Sequence, residues 1–218
     1  MPIPKKYLAD LTEENIYHIY NRTNNQEPLF LTDENRHFFL RRYSTYLSPF
    51  LDTYCWCLLP THFHFLVKIK PAIEIKKYLA NLEILNACEK HYLTTEQSSS
   101  QVVGRAFHRF FTSYSMGFNN LYHRKGNLFH RPFKRIEVIR ESHFTQAIVY
   151  IHANPLKHKI VTDFMKYKWS SWSSITSCSP TWLLRQELID WFGGTEQLIK
   201  AHKDLTQYYY DSEIAIED

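Results

Sequence analysis

Along this chain the spacing of apolar residues switches between a two-residue and a three-to-four-residue period, and each switch predicts a change of element. Residues 16–21 (Ile-Tyr-His-Ile-Tyr-Asn) are aromatic and β-branched, as a strand requires. Asp33 is the expected N-cap of a helix running to residue 46. Residues 50–59 and 62–69 read as two strands separated by Pro60-Thr61, the spacing of an antiparallel hairpin. Residues 73–92 carry apolar side chains at 75, 79, 82 and 85 and predict a second helix, followed by a polar, serine-rich loop over 94–101 that is expected to move. A long aromatic helix is predicted over 102–124, broken by Lys125-Gly126-Asn127, and then an alternating strand over 133–139. Ser142 is the expected cap of a helix ending near Asn154, because Pro155 disfavours helical geometry in the residue before it. A further helix starts at Thr195, and an acidic tail after Asp211 is expected to fray. The β-α-β-β-α order, completed by a later strand and helix, predicts an α+β, ferredoxin-like antiparallel sheet with helices packed on it, plus a C-terminal helical extension.

Composition narrows the class without naming a function. At 218 residues, with 44% hydrophobic and 16% aromatic content, the chain can bury one good core and is not largely disordered. No repeat is visible. A formal net charge of +4 does not by itself imply a polyanionic partner, so local clustering of the positive charges has to carry that argument. Cys55, Cys57, Cys88 and Cys178 form no CxxC pair, the chain begins without a charged-then-apolar leader, and a reducing cytoplasm is the expected compartment. Cys55 and Cys57 share a strand face, which favours core packing over metal ligation. The most apolar stretch, 50–69, is interrupted by Asp52, Pro60, two histidines and Lys68, so no membrane partner is expected.

Three groups of residues can carry chemistry. His62 and His64 stand at i and i+2 on a strand, so both imidazoles leave one face and can grip one divalent cation. With 12 histidines in the chain, chance alone supplies about 0.65 such pairs, which makes the motif weak in isolation. Tyr150 and Asn154 stand at i and i+4 on one helix face, either as a nucleophile and a third ligand or as a packed tyrosine and a cap-type residue before proline. The stretch from Arg124 to Arg135 interleaves five Lys/Arg with two phenylalanines around a glycine turn. It suits either phosphates with exposed bases or a solvated hairpin whose phenylalanines face the core. Arg105, His108 and Arg109 extend the positive surface along the preceding helix.

These pieces together resemble a known family. Cys57-Leu58-Leu59-Pro60-Thr61-His62-Phe63-His64-Phe65-Leu66-Val67 resembles the "CLMPNHxHLLV" strand of the single-tyrosine HUH transposases, which include the REP-associated tyrosine transposases and related insertion-sequence enzymes. Tyr17-His18-Ile19-Tyr20-Asn21-Arg22 resembles the family's first strand. Gly126-Asn127-Leu128-Phe129-His130-Arg131-Pro132-Phe133-Lys134 resembles its "GxLFxxRFK" turn, Tyr150-Ile151-His152-Ala153-Asn154-Pro155-Leu156-Lys157 its "YIHxNPVK" helix end, and Tyr167-Lys168-Trp169-Ser170-Ser171 its "YxWSS" segment. The chain departs from the pattern at Thr23, Thr61 and Pro132, which bear on loop geometry and DNA preference and remove neither ligand nor nucleophile.

The resemblance implies a catalytic domain over 1–175 and an extension of unassigned role over 176–218. It implies that His62 and His64 bind a divalent metal, Mg2+ or Mn2+, with Asn154 completing the site, and that Tyr150 is the nucleophile. Single-stranded or hairpin DNA is the expected partner, held by Arg22, Arg109, Arg124, Lys125, Arg131, Lys134 and Arg135, with the protein a monomer or homodimer. The implied activity is cleavage and rejoining of single-stranded DNA through a 5′-phosphotyrosine link. The alternatives are a catalytically weak DNA-binding regulator of the same fold and a metal-dependent phosphodiesterase that uses water.

Overall fold

A computed structural model describes residues 4–211, with side chains to residue 206, so the acidic tail after Asp211 lies outside the described residues. Among the described residues, β1 (Ile16–Arg22), β2 (Leu51–Leu58), β3 (His62–Ile69) and β4 (Lys134–Glu137) form one antiparallel sheet in the order β2-β3-β1-β4. Helix α1 (Asp33–Leu47) joins β1 to β2, and α2 (Ala72–Ala80), α3 (Ala87–Thr94) and α4 (Ser100–Leu121) lie between β3 and β4. The fold is therefore α+β with a ferredoxin-like sheet. After β4 come α5 (Glu141–Lys157), α6 (Trp172–Thr176), α7 (Arg185–Phe192) and α8 (Thr195–Asp211), so the C-terminal part is helical as expected.

Strand alternation divides the sheet into two faces of different chemistry. On one face Phe63 and Phe65 meet α1 and α4 in an aromatic core: Phe39 lies 5.1 Å from Phe63, Tyr43 stacks on Phe65 at 4.2 Å, and Phe110 and Tyr114 of α4 sit 4.9 and 5.0 Å from Phe39. Phe107, Phe110, Tyr114 and Phe118 recur at helical spacing along α4 and are all buried, which explains why its period was legible. The opposite face carries His18, Tyr20, His62 and His64 and is covered by α5. α5 is in turn backed by α8.

Both edges of the sheet are occupied. Along β2, three backbone hydrogen bonds engage segments far along the chain: Leu58 N–H donates to the Trp169 carbonyl at 2.8 Å, Ser171 N–H to the Trp56 carbonyl at 2.9 Å, and Leu184 N–H to the Thr53 carbonyl at 2.9 Å. Beside β4, Leu8 bridges to Arg135, and the Arg135 guanidinium donates to the Ala9 carbonyl.

Several boundaries differ from the pattern-based expectation, each for a local reason. Thr32, not Asp33, is the N-cap of α1: its hydroxyl accepts from Asn35 N–H while the Asn35 side chain accepts from Thr32 N–H at 3.2 Å, a reciprocal capping box. The single helix expected over 73–92 is two helices, because Asn86 and Glu89 form a second capping box that starts α3 afresh. Leu82 and Leu85 still pack against the core across the break, so the apolar period runs through it. The expected loop over 94–101 is shortened by α4 starting at Ser100, and Ser99 is buried, its hydroxyl donating to the Leu11 carbonyl at 2.8 Å. α4 ends at Leu121, before the expected 124. α5 begins at Glu141 with no side-chain cap from Ser142, and it continues through Pro155 to Lys157. Proline removes one donor only, and the last turn recovers: His158 N–H donates to Asn154 at 3.0 Å and Ile160 N–H to Pro155 at 2.9 Å. β4 is shorter than the expected 133–139. Thr32→Ala is expected to lower the unfolding free energy by about 1 kcal/mol, read as a shifted urea midpoint at unchanged m-value.

Candidate active site

The connection before β3 is anchored by its backbone. Leu29 N–H donates to the Pro60 carbonyl at 2.7 Å, Thr23 N–H to Thr61 at 3.0 Å, and Leu59 N–H to His62 at 2.8 Å. This fixes the start of β3, where alternation sends Phe63 into the aromatic core and leaves His62 and His64 side by side, ring centroids 5.2 Å apart, on the other face. Thr61, which departs from the family pattern, places its hydroxyl 3.0 Å from His62 Nδ1 and so orients that ring. Directly across on β1, Arg22 pairs with His62 and Tyr20 with His64.

Helix α5 crosses this face and brings both of its singled-out residues to the histidines. Asn154 Oδ1 lies 3.4 Å from His62 Nε2, and the Tyr150 ring meets the His64 ring edge-on at 5.8 Å. His64 and Asn154 are fully buried and Tyr150 is 3% exposed, so the site opens to solvent at its His62 end. Lys157 places its ammonium 5.2 Å from the centre of the Tyr150 ring, adding positive charge beside the phenol. His158 packs edge-on against His62 at 4.7 Å. His152 points away, into α8, with Nδ1 2.9 Å from His202 Nε2.

A cavity of about 330 Å3 opens over His62, lined by Tyr20, Arg22, Thr61, His130, Lys134 and His158. It therefore joins two of the basic residues singled out in the sequence to the histidine pair. Burial, reinforced by the neighbouring Arg22, holds the His130 imidazole below its usual range. A larger cavity of about 660 Å3 lies between α4 and residues 126–133, lined by Arg131, Phe111, Phe129 and Phe133; it shares His130 with the smaller one but is not lined by His62 or His64. Chemistry rather than size makes the smaller one the candidate site.

The other expected DNA contacts are distributed less evenly. Lys125 and Arg131 are exposed. Arg109 is paired with Glu89 at 2.9 Å, Arg124 donates to Glu27 at 2.6 Å, and Arg135 is held by the Ala9 carbonyl. Phe129 and Phe133 turn inward, Phe129 lying 4.9 Å from Phe111 and Phe133 stacking on Phe107 at 4.7 Å. The aromatic half of the basic turn thus serves the core, as the solvated-hairpin reading has it. Cys57 on β2 pairs directly with His64 on β3, and burial pushes its thiol well up, so it sits there as a protonated, apolar neighbour.

The donor set suits a divalent cation. Two ligands held about 2.1 Å from one ion stand about 3.0–3.4 Å apart at octahedral or tetrahedral angles, the separation found between His62 Nε2 and Asn154 Oδ1. The contact is a hydrogen bond when His62 carries its proton on Nε2; with the proton on Nδ1 toward Thr61 the same two atoms would present facing lone pairs for a shared cation. The set is two imidazoles and one amide oxygen. No group of three His, Cys, Asp or Glu side chains is placed to hold a metal among the described residues. Such a mixed, open set matches a cation that keeps places for phosphate oxygens better than a closed structural zinc site.

No family model and no curated protein matches the chain. A solved structure of a REP-associated tyrosine transposase bound to a REP hairpin is similar over 83% of this chain and 89% of its own, at 14% sequence identity and a TM-score of 0.49. Among the described residues no helix is long and apolar enough to cross a membrane.

Five residues at the site were not singled out from the sequence: His18, Tyr20, His130, Lys157 and His158. The first two alternate on β1, and the signal for them was present once β1 is paired antiparallel to β3, since pairing puts their face beside His64. His158 follows Asn154 by one helical turn, a position hidden by the expectation that the helix stops at proline.

Proposed function

We propose that this protein cleaves and rejoins single-stranded DNA, with Tyr150 as nucleophile and His62, His64 and Asn154 as ligands of Mg2+ or Mn2+. The observation that carries the reading is the convergence of a helix-borne phenol and amide on a strand-borne imidazole pair from distant parts of the chain. The ordered sequence resemblance to single-tyrosine HUH transposases supports it independently.

A phosphodiester repels nucleophiles through its own negative oxygens, and a tyrosine of ordinary pKa, about 10, is largely neutral at pH 7. The bound cation supplies Lewis-acid polarisation of the scissile phosphate and partial neutralisation of the charge that develops on it. Arg22 and Lys134, lining the cavity, would hold the flanking phosphates. Attack forms the Tyr150 O–P bond and breaks the P–O3′ bond; the proton given up by the phenol is balanced by the one the departing 3′ oxygen takes up. The phosphotyrosine conserves the ester, so a 3′-hydroxyl from another strand can reverse the step without ATP. His152, buried against α8, does not serve as the base.

The test is incubation with single-stranded and hairpin oligonucleotides in Mg2+ or Mn2+, followed by mass spectrometry of the Tyr150 peptide. A covalent adduct supports the reading. Cutting without an adduct would move the assignment to a phosphodiesterase using water, and binding without cutting to a regulator. For the DNA grip, Arg131→Ala and Lys134→Ala are each expected to weaken binding and to flatten the slope of log K against log salt by about 0.7, the single-strand value for one lost phosphate contact. Arg124→Ala, whose guanidinium is occupied by Glu27, should change that slope less. Fluorescence anisotropy across a salt series measures both.

A further inference from the structure

We infer that His18 is a positioning residue for His64: it accepts the His64 Nδ1 proton and thereby presents the His64 Nε2 lone pair to the cation. The inference rests on the metal reading proposed above, and it adds a residue which that reading did not contain.

His18 is 2% exposed and His64 fully buried, and His18 Nε2 lies 3.0 Å from His64 Nδ1. At that distance one nitrogen must donate, and the choice decides what His64 can do. If His18 Nε2 carries the proton, His64 accepts on Nδ1; a neutral His64 then bears its own proton on Nε2 and cannot ligate through it. If His64 Nδ1 carries the proton, His18 accepts and His64 Nε2 is left as a lone pair. Only the second arrangement is compatible with His64 as a ligand through Nε2. His18 Nε2 must then be bare, which places the His18 proton on Nδ1.

The surrounding rings hold this arrangement in register. His18 and His64 are nearly parallel, 27° between planes with centroids 5.2 Å apart. Tyr20 stacks on both, 4.9 Å from His18 and 5.6 Å from His64. The Tyr150 ring closes the group edge-on, 6.0 Å from His18 and 5.8 Å from His64. Cross-strand geometry builds the stack: Tyr20 is the direct partner of His64, and His18, paired with Leu66, is its diagonal neighbour. Thr61 bears the same relation to His62, with its hydroxyl on His62 Nδ1. Each imidazole of the pair therefore has its Nδ1 engaged by a fixed polar neighbour, as oriented metal-ligating histidines have.

The experiment measures Mn2+ binding by calorimetry and electron paramagnetic resonance on the whole chain, alongside thermal unfolding. His18→Phe keeps a ring in the stack and removes the acceptor; it should weaken Mn2+ binding about 10–100-fold. His18→Gln, whose amide oxygen can accept from His64 Nδ1, should recover most of that loss. Wild-type Mn2+ affinity in a folded His18→Phe protein overturns the inference while leaving the metal reading intact. Absence of Mn2+ binding by the wild type, with His64→Ala indistinguishable from it, overturns both. Should His18→Phe fail to fold, 15N-labelled histidine in the unaltered, Mg2+-loaded protein still decides the matter. Resonances of His64 and His18 as Nδ1–H tautomers are expected, and a His64 found as the Nε2–H tautomer rules the arrangement out.

Discussion

Tyr150→Phe is expected to abolish the covalent protein–DNA adduct and to reduce strand cleavage by at least about a thousandfold, the scale on which loss of a nucleophile is felt. The substitution removes one oxygen and keeps the ring, so the edge-on contacts with His64 and His18 survive. Binding of single-stranded DNA should stay within about twofold of wild type, because the basic side chains proposed to hold phosphates are untouched. That combination separates a nucleophile from a packing residue. If the variant cuts at the wild-type rate, Tyr150 is merely a buried aromatic on α5 and the nucleophile lies elsewhere.

Acidification from pH 7 to pH 5 should remove on the order of 2 kcal/mol of folding stability through His202, with a further loss of the same sign through His152, the two buried histidines joining α5 to α8. Trp56 N–H donates to Ser171 Oγ at 2.9 Å, Ser171 Oγ–H to His152 Nε2 at 2.8 Å, His152 Nδ1–H to His202 Nε2 at 2.9 Å, and His202 Nδ1–H to the Leu198 carbonyl at 2.8 Å. The direction of the chain follows from its end, since a carbonyl only accepts. That direction holds for two neutral rings, the form that burial favours at pH 7. Burial pushes His202 down to about 4 and His152 well below its usual value, the latter also through His202. Trp172, Phe164 and Phe192 pack around His202, and none of them carries a formal charge to offset protonation.

The sign follows from linkage. Below the unfolded value of about 6.5 the unfolded chain takes up protons that the folded chain refuses, so stability falls as pH drops, by about 1.4 kcal/mol per unit for each histidine. The loss from His202 continues until about pH 4 and then levels off. Most carboxylates titrate below this window, which isolates the histidines. Urea unfolding at pH 7, 6 and 5 reads the effect, and His202→Leu should reduce it while lowering stability at pH 7 by leaving the His152 donor unsatisfied. A midpoint that stays flat between pH 7 and 5 would sink the prediction.

What was legible in the sequence and what was not divides along physical lines. Period and alternation are local, so β1, the β2–β3 hairpin, α1 and α4 could be read from spacing alone, as could the shared face of His62 and His64. The break between α2 and α3 was masked because Leu82 and Leu85 keep the helical period while touching the core from a non-helical segment. Pro155 misled in the opposite direction, since a proline in the final turn forfeits one donor without ending the helix. The contacts that organise the candidate site are long-range. His18 and His64 are 46 residues apart, and His152 and His202 are 50 apart; no pattern in a window of ordinary length relates them. They follow only after strand order and the docking of α8 are known.

The covered edges of the sheet limit how two copies of this chain can meet. A neighbour seeking to extend the sheet at β2 would have to displace Trp169, Ser171 and Leu184, which already use the backbone groups along that side. β4 is four residues long and is flanked by Leu8 and Ala9, too little exposed ladder to recruit another strand. Among the described residues, a sheet continued from one copy to the next would compete with these partners of the same chain, so contacts between copies made through side chains could be altered by surface substitution without touching the strands that hold the histidines.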